Sequence, residues 1–406
     1  MRLPFKSSVS SVLTLVLTML LIFIMIGYLI GKCTRSIVMK SIHAGYEQVT
    51  AGLVLANASS NPLDKEGFIF YLPTSGLANS MLGLMSTFIL SKYIEKTLVV
   101  TWMNNINTNC ELGYEEIRNL GAAKEVLLLK DSCSVKMAAF QACGLQLNQH
   151  SDPSVFEYLY RSDLQVLKNC RNVIVSSNQY FGSLLLQNPR INVRPLDIHA
   201  EELIAFHYLY DIPRAKKRDQ NYCISVHMRS FLGSNAEKLM QCAARWSAIT
   251  NCSKSHGIYL AADTTDALQD MLRICRQRSY SCYFQNKNHT IKDSEGSSSR
   301  SISSVRDAYV DLVALGSAKI CIGTSQLSTF SEISRSLFNC TKVDESNGCE
   351  VVPKEVRPHV PDKYILGKFE PKSGDQLQFI VENSVEQGTQ LLRSKVAEIF
   401  ARYCTG

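Results

Sequence analysis

The order of apolar runs between residues 68 and 102 constrains the fold more than any other feature of the sequence. Phe68-Ile69-Phe70-Tyr71 is a compact run typical of a buried strand, and Thr97 to Trp102 forms a second one. A loop, 72–79, and a helix that is apolar on most sides, Met81 to Ile89, separate them. Strand, loop, helix and strand in this order form a βαβ unit, which implies a parallel sheet with a ligand-facing first loop.

That loop supplies two candidate residues. Gly76 is expected to permit a close approach of the backbone to a ligand, and Asn79 stands where its side chain can reach a cleft. A plain strand-to-helix turn explains each of these residues equally well.

Strands and helices continue to alternate along the chain, and one polar run divides them. Before it, strands are predicted at 126–129 and 173–175, and a helix at 202–210. The run 214–220, which follows Pro213, is the candidate linker between two domains. After it we predict strands at 224–226, 257–263, 280–284 and 319–323, and helices at 266–278, 305–315 and 376–404.

The stretch from Asn221 to Glu237 holds the main candidate for a ligand site. Ile224-Ser225-Val226 ends a short strand, and strand ends in open α/β sheets are where ligands bind. His227 and Arg229 alternate with Met228, so both side chains leave the same face of an extended backbone. A guanidinium suits phosphate, and an imidazole can hydrogen-bond a base or a hydroxyl.

Glu237 is the only carboxylate in the loop that follows His227. An anion-binding cation beside a proton acceptor is what group transfer from a diphosphate leaving group requires. A His-x-Arg triplet also occurs by chance, and Arg229 could instead pair with a surface carboxylate.

Further polar residues stand at other strand ends of the second half. Asp263 ends the predicted strand 257–263, and Asp307 and Asp311 share one face of the predicted helix 305–315. The strand 319–323 leads into a loop with Ser328, Thr329 and Ser331. Small hydroxyl residues with free backbone amides before a helix make a natural phosphate seat, and helix capping is the alternative.

The N-terminus predicts a membrane anchor. Residues 7–31 carry no charge, and the apolar run within them is long enough to span a bilayer. We therefore expect a cytoplasmic tail at 1–8, one uncleaved signal-anchor helix at 9–31 and a stem at 32–66.

Cysteines and glycosylation sequons orient this anchor. The chain has 14 cysteines, and N-x-S/T sequons occur at Asn57, Asn251, Asn288 and Asn339. Together they predict an oxidising, glycosylating compartment for residues 32–406, and hence a type II membrane protein with a lumenal body. No cysteine or histidine cluster has zinc spacing, so we expect disulfides, with the pairing left open.

Charge and acidic spacing exclude two other classes of site. The net charge of +7 is modest and the basic residues are scattered, which is not the footprint of a nucleic-acid-binding protein. No Asp-x-Asp triplet occurs, although metal-dependent nucleotide-sugar transferases usually need one to hold a divalent cation. We expect no metal and no cofactor beyond a donor substrate.

The ordered motifs resemble the GT-B fucosyltransferases, the group that includes α1,2-, α1,6- and protein O-fucosyltransferases. The motifs are Gly76-Leu77-Ala78-Asn79, His227-Met228-Arg229, Ala261-Ala262-Asp263 and Asp311 followed by Ser328-Thr329-Phe330-Ser331. The resemblance implies an α/β fold of GT-B type with two Rossmann-like domains facing across a cleft, at 67–213 and 214–350. An extension with a packing helix follows at 351–406. The resemblance also implies GDP-fucose as donor and inversion without metal.

The resemblance further implies roles for single residues of the second half. Arg229 resembles the arginine that grips the donor β-phosphate, and His227 and Asp311 resemble groups on the guanine side of the nucleotide. Glu237 stands at the spacing of the catalytic carboxylate of the α1,6 members.

Other positions match less sharply. Asn79 matches an N-terminal-domain residue near the donor, and Asp263 an acidic strand-end residue of the nucleotide domain. Ser328, Thr329 and Ser331 match the diphosphate loop, without indicating which one binds.

The chain also departs from this family. The α1,2 and α1,6 members usually carry a second arginine and an acidic residue where this chain has Ser230 and Leu232.

From the resemblance as a whole we expect fucose transfer to a glycan or glycoprotein hydroxyl. Another nucleotide sugar, or a catalytically inactive lumenal glycan-binding module, remains the alternative. A Golgi membrane location follows from the topology and the resemblance, with the endoplasmic reticulum as the alternative.

Overall fold

The structure is a computed structural model. It describes residues 67–74, 76–102, 114–119, 126–129, 133–148, 151–192, 198–210, 222–229, 235–250, 252, 257–285, 302–323, 330, 333, 340–352 and 372–404. The predicted tail, anchor and stem and all four sequons, Asn57, Asn251, Asn288 and Asn339, lie outside these residues. Within the described residues, no helix combines the length and the apolar character needed to cross a bilayer.

The first half of the chain forms a five-stranded parallel sheet with strand order β3-β2-β1-β5-β4. Its elements are, in chain order, β1 (Phe68–Pro73), α1 (Leu77–Tyr93), β2 (Thr97–Val100), β3 (Val126–Leu128), α2 (Lys136–Phe140), β4 (Cys143–Leu147), α3 (Pro153–Arg161), α4 (Gln165–Asn169), β5 (Val173–Ser177), α5 (Gly182–Leu186) and α6 (Ile198–Leu209). The βαβ prediction for β1, α1 and β2 is confirmed.

The second half forms a six-stranded sheet with order β11-β10-β9-β6-β7-β8. Its elements are β6 (Tyr222–Met228), α7 (Ala236–Ile249), β7 (Gly257–Ala262), α8 (Thr265–Gln277), β8 (Cys282–Tyr283), α9 (Ile302–Ser317), β9 (Ile320–Gly323), β10 (Thr341–Asp344), β11 (Glu350–Val351) and α10 (Gly374–Tyr403). Only β11 is antiparallel among the described strands. Numbered from β6, the order is 3-2-1-4-5-6, which is that of a Rossmann sheet.

Each sheet has one point where the order reverses. In the first sheet β1 lies between β2 and β5, and in the second β6 lies between β7 and β9. Ligands of open α/β sheets bind outside the carboxyl ends of the strands at such a switch point. The fold therefore directs attention to the loop after β1 and to the ends of β6 and β9.

Alternation along β6 and β7 separates the two faces of the second sheet. Ile224, Val226 and Met228 pack with α7 and α8 in one apolar cluster. Tyr259 and Ala261 of β7 belong to another cluster, with Leu315 of α9. Because side chains alternate along a strand, His227 must lie on the α9 face.

Helix α10 follows the second sheet but packs on the first. Its buried residues Leu392, Val396, Ile399 and Phe400 join the core beneath β1, with Phe70 opposite them. The structure has a helix over Gly374–Tyr403, where the sequence predicts a packing helix at 376–404. Its sequence period indicated one apolar face without indicating which sheet would cover it.

The same helix covers the open edge of β4. Thr389 Oγ1 accepts a hydrogen bond from the Gly144 amide at 2.9 Å, and Arg393 Nε donates to the Ala142 carbonyl at 2.7 Å. Gly388 lies against the backbone of Gly144 so closely that a Cβ on either residue would come within 2.7 Å of the other's backbone. Edge strands expose unpaired backbone groups, and α10 satisfies two of them here.

Disulfides fix this arrangement, as the cysteine content predicts. Six pairs form among the described residues: Cys133–Cys404, Cys143–Cys170, Cys223–Cys252, Cys242–Cys349, Cys275–Cys282 and Cys321–Cys340. The first of them ties the end of α10 to the segment before α2 and encloses a loop of 271 residues.

Candidate functional site

Strand β6 carries the central pair of predicted residues to the switch point. In the sheet register His227 stands opposite Ala261 of β7 on one side and Gly323 of β9 on the other. Arg229 follows two positions later, half-buried, just past the carboxyl end of the strand. Gly323 is the last residue of β9, so that strand ends directly beside His227.

The imidazole of His227 is packed against an aromatic ring. Its centroid lies 5.0 Å from that of Phe330, with the planes tilted by 34°, and His227 is buried. Ser328, Thr329 and Ser331 lie outside the described residues. Phe330 stands between Thr329 and Ser331 in the sequence, and its ring contacts His227 of β6.

Asp263 lies beside the end of β6. Its backbone amide donates to the Met228 carbonyl at 3.3 Å, and its side chain is partly exposed. Thr264 then caps α8 by accepting a hydrogen bond from the Ala267 amide. The structure thus brings Asp263 and Arg229 to neighbouring strand ends on the same edge of the sheet.

Asp311 is buried within the second half. It is 3% exposed and accepts a hydrogen bond from the Tyr259 hydroxyl at 2.7 Å. Burial raises the pKa of Tyr259, and the charge of Asp311 raises it further. Asp307, one turn earlier, accepts from Gln285 Nε2 at 2.7 Å. The two carboxylates share one face of α9, as the sequence predicts, and both are bound by side chains from the neighbouring strands.

Glu237 forms an ion pair with Arg278 and has no described contact with the predicted donor-binding residues His227 and Arg229. It lies in the first turn of α7, where Asn235 caps the helix, and its carboxylate forms an ion pair with Arg278. Gln241 also donates to it, at 3.4 Å. Among the described contacts, none joins Glu237 to His227 or Arg229. Its predicted role as a base therefore stays a prediction.

The loop after β1 places Asn79 in the first turn of α1. Two buried tyrosines hold this turn: Tyr71 donates to the Ser80 carbonyl at 2.8 Å and Tyr210 to the Met81 carbonyl at 2.7 Å. Gly76 precedes the helix with φ −64°, and a Cβ there would meet nothing within 4 Å. Protein atoms near Gly76 therefore leave room for a side chain, and the predicted ligand approach at this residue stays a prediction.

Sequence reasoning missed three residues of the second half. Tyr259 lies in a strand that the apolar pattern predicts, but nothing in that pattern marks its hydroxyl as the partner of Asp311. Phe330 belongs to the predicted loop, where attention fell on the hydroxyls. Asp344 ends β10 opposite Gly323, and its Oδ1 accepts from the Ser346 amide and hydroxyl at 2.9 and 2.7 Å. No spacing signal links it to the site.

Comparisons with known proteins give matches among solved structures alone. No family profile and no curated protein sequence matches the chain. A point mutant of Arabidopsis thaliana FUT1 in complex with GDP superposes with a TM-score of 0.47 and 11% identity, covering 75% of this chain and 78% of that one.

Two further fucosyltransferase structures superpose over most of their own length. NodZ from Bradyrhizobium gives a TM-score of 0.41 and 12% identity over 71% of this chain and 99% of that one. POFUT1 in complex with GDP-fucose gives 0.41 and 10% over 70% and 96%. These three solved structures are fucosyltransferases.

Proposed function

We propose that this chain is a glycosyltransferase that moves fucose from GDP-fucose to a hydroxyl of a glycan or glycoprotein, with inversion and without a metal. The observation that carries the proposal is the position of Arg229. It follows the central strand of a Rossmann-ordered sheet, at the switch point, two residues after His227, whose ring packs on Phe330. A guanidinium at this place is suited to the diphosphate of a nucleotide sugar.

In the proposed reaction the acceptor oxygen forms a bond to the anomeric carbon while the bond from that carbon to the GDP oxygen breaks. The bonding electron pair leaves with GDP, so negative charge grows on the β-phosphate. Arg229 and the backbone amides of the hydroxyl-rich loop would stabilise that charge, which is usually the largest single contribution to such catalysis. His227, packed on Phe330, and Asp263 would line the nucleotide side of the site.

The acceptor hydroxyl must lose a proton, and Glu237 is the proposed base. One carboxylate suffices, because a diphosphate leaves without being protonated. The ion pair with Arg278 would have to open before Glu237 could act.

The ion pair also favours a second candidate, a lumenal module that binds nucleotide sugars or glycans without transferring them. In that case Glu237 serves only to join α7 to the end of α8. Ser230 and Leu232, which replace an arginine and an acidic residue of the related motif, point the same way. A different nucleotide sugar is a variant of the first candidate.

For the whole protein we propose a GT-B arrangement, with the two sheets facing each other across a cleft. A single N-terminal anchor at 9–31 would hold residues 32–406 in the Golgi lumen, with the endoplasmic reticulum as the alternative. The uncharged run 7–31, the sequons and the paired cysteines support this topology.

The deciding experiment offers the protein labelled GDP-fucose on a glycan array, with and without EDTA. Label on a glycan in both conditions is the expected result. Binding of GDP-fucose without transfer would favour the inactive module, and transfer from a UDP-sugar alone would replace the donor. Loss of transfer in EDTA, restored by a divalent cation, would contradict the metal-free mechanism.

A further inference from the structure

A second group of polar side chains lies at the carboxyl edge of the first sheet. Trp102 follows β2 by two residues and is 1% exposed. Tyr114 returns to it: the Tyr114 amide donates to the Trp102 carbonyl at 3.2 Å, and the two rings stack with centroids 6.3 Å apart. Arg118 comes next along this segment and bridges the backbone of Tyr210.

Two buried donors in this group have no hydrogen-bond acceptor. They are Trp102 Nε1 and Arg118 Nε. Tyr114 links the two: its ring stacks on Trp102 and lies 5.9 Å from the ring of Tyr210, whose backbone Arg118 bridges. Among the described residues no carboxylate forms an ion pair with Arg118.

Unsatisfied buried donors are costly, and each one in a native structure calls for an explanation. The indole and the guanidinium both donate hydrogen bonds and accept none, and the guanidinium carries a positive charge. Its complement is therefore a group with several acceptor oxygens and a negative charge. Water could satisfy the two donors but would leave the charge without a partner.

The position of this group relates it to the proposed site. The Tyr210 hydroxyl donates to the carbonyl of Met81 in the first turn of α1, the turn that also holds Asn79. Burial raises the pKa of Tyr210, and among the smaller contributions is Tyr309 of α9, the helix that carries Asp311. The group that bears Arg118 thus shares Tyr210 with the turn of α1 that holds Asn79.

We propose that Trp102 and Arg118 form an oxyanion-binding subsite on the first sheet, in which the guanidinium and the indole N–H bind one phosphate or carboxylate group. This inference rests on the proposed function. The oxyanion has two possible sources, the diphosphate of the donor or an acidic sugar on the acceptor. The donor source has a rationale, because Ser230 follows Arg229 where related chains have a second arginine.

Tryptophan fluorescence of the full chain can test this subsite, because the protein has only two tryptophans, Trp102 and Trp246. In a Trp246→Phe background the signal comes from Trp102 alone. This protein is titrated with GDP in one arm and with glucuronate in the other, and glucose is the neutral reference. We expect the Trp102 emission to change with one oxyanion and not with glucose.

Substitutions then assign the change. Arg118→Gln should weaken the binding of that oxyanion about tenfold or more, Arg118→Lys should weaken it less, and the exposed Arg190→Gln should leave it unchanged. An effect on GDP assigns the subsite to the donor, and an effect on glucuronate assigns it to the acceptor.

The failure of this inference is separable from the failure of the proposed function. If GDP binds with equal affinity to wild type and Arg118→Gln, and glucuronate changes no emission, the subsite is refuted while the nucleotide site stands. If GDP does not bind to the wild-type protein, the proposed function fails. A response to glucuronate that Arg118→Gln abolishes would still establish the subsite.

Discussion

The hydroxyl of Tyr259 donates a hydrogen bond of 2.7 Å to Asp311, joining the second strand of the Rossmann-ordered sheet to the helix that precedes β9. Asp311 is 3% exposed, so this hydroxyl satisfies a carboxylate that water scarcely reaches. The bond fixes α9 against the sheet, and α9 leads through β9 to the loop beside His227. The Tyr259–Asp311 hydrogen bond lies away from the strand ends of the candidate site, yet it helps to position the helix that leads to one of them.

Removal of this bond should destabilise the protein. Tyr259→Phe leaves a buried carboxylate short of a donor, and hydrogen bonds to charged groups contribute about 1.5–3 kcal/mol. Tyr222→Phe is the matched control on the same face, because Tyr222 donates to the neutral carbonyl of Ala314 at 3.2 Å, a bond worth about 1 kcal/mol. Urea unfolding of the two variants gives the comparison, and an equal loss would contradict a charged Asp311.

Alkaline pH should unfold the protein by ionising buried tyrosines. Burial raises the pKa of Tyr158 to about 12, and burial also raises that of Tyr71 and Tyr259. Their unfolded pKa is about 10, so the folded state keeps these protons and its stability falls as the pH rises above that value. Absorbance at 295 nm should show exposed tyrosines titrating reversibly near pH 10 and the buried ones only on unfolding. A single smooth titration in the native protein would refute this.

Arg229 should be essential for holding the donor. Arg229→Ala should lower the transfer rate about 10²–10³-fold, the usual loss on removing one donor to a developing negative charge. Arg229→Lys keeps the charge without the bidentate fork, so its loss should lie between those of wild type and Arg229→Ala. Arg273→Gln, an exposed residue paired with Asp270, is the control. Full activity of Arg229→Ala, measured with labelled GDP-fucose, would remove the basis of the proposed function.

Variants of Glu237 and Arg278 can show whether Glu237 acts as a base or only as a partner in the ion pair. Glu237→Gln should stop turnover while GDP-fucose still binds, because an amide cannot take the acceptor proton. Arg278→Gln removes the other partner of the ion pair and leaves the carboxylate in place. Steady-state rates and donor affinity should be measured for both variants. Equal losses of rate in the two would indicate that the ion pair, and not proton transfer, is what activity needs.

The contact between Gly144 and Gly388 should not tolerate a side chain. A Cβ added to Gly388 would lie 2.7 Å from the Gly144 carbonyl oxygen, so Gly388→Ala should cost about 1–3 kcal/mol despite the higher helix propensity of alanine. Gly374→Ala in the first turn of the same helix meets nothing within 4 Å and is the control. A shift in thermal midpoint for Gly388→Ala that matches the shift for Gly374→Ala would show that the helix can move away from β4.

The sequence predicts the strands of both sheets better than their order. Runs such as 68–71 and 257–262 are apolar throughout, because parallel strands are covered on both faces. Strand β4 was missed, because Gly144 and Gln146 interrupt its pattern and α10 supplies the covering groups from far along the chain. The predicted strand 280–284 shortens to Cys282–Tyr283, since the turn after α8 uses the preceding residues.

Sequence patterns also locate some residues of the candidate site better than others. His227, Arg229 and Asp263 stand at strand ends, and strand ends can be recognised from apolar runs. Glu237 was chosen by its distance along the sequence, which does not indicate that Arg278 would reach it. No sequence pattern marks Trp102 and Arg118 as candidates, because only the folded structure shows that Trp102 Nε1 and Arg118 Nε are buried without a hydrogen-bond acceptor.

The return of α10 to the first sheet has a consequence for biosynthesis. The ribosome makes β1 before the second sheet and Leu392, Val396 and Phe400 after it, yet all of them share one core. The first sheet therefore emerges with an apolar surface that α10 can cover only after the second sheet has been made. Nascent chains should depend on chaperones throughout that interval. A premature stop codon before residue 374 would remove α10 and should leave the apolar face of the first sheet exposed.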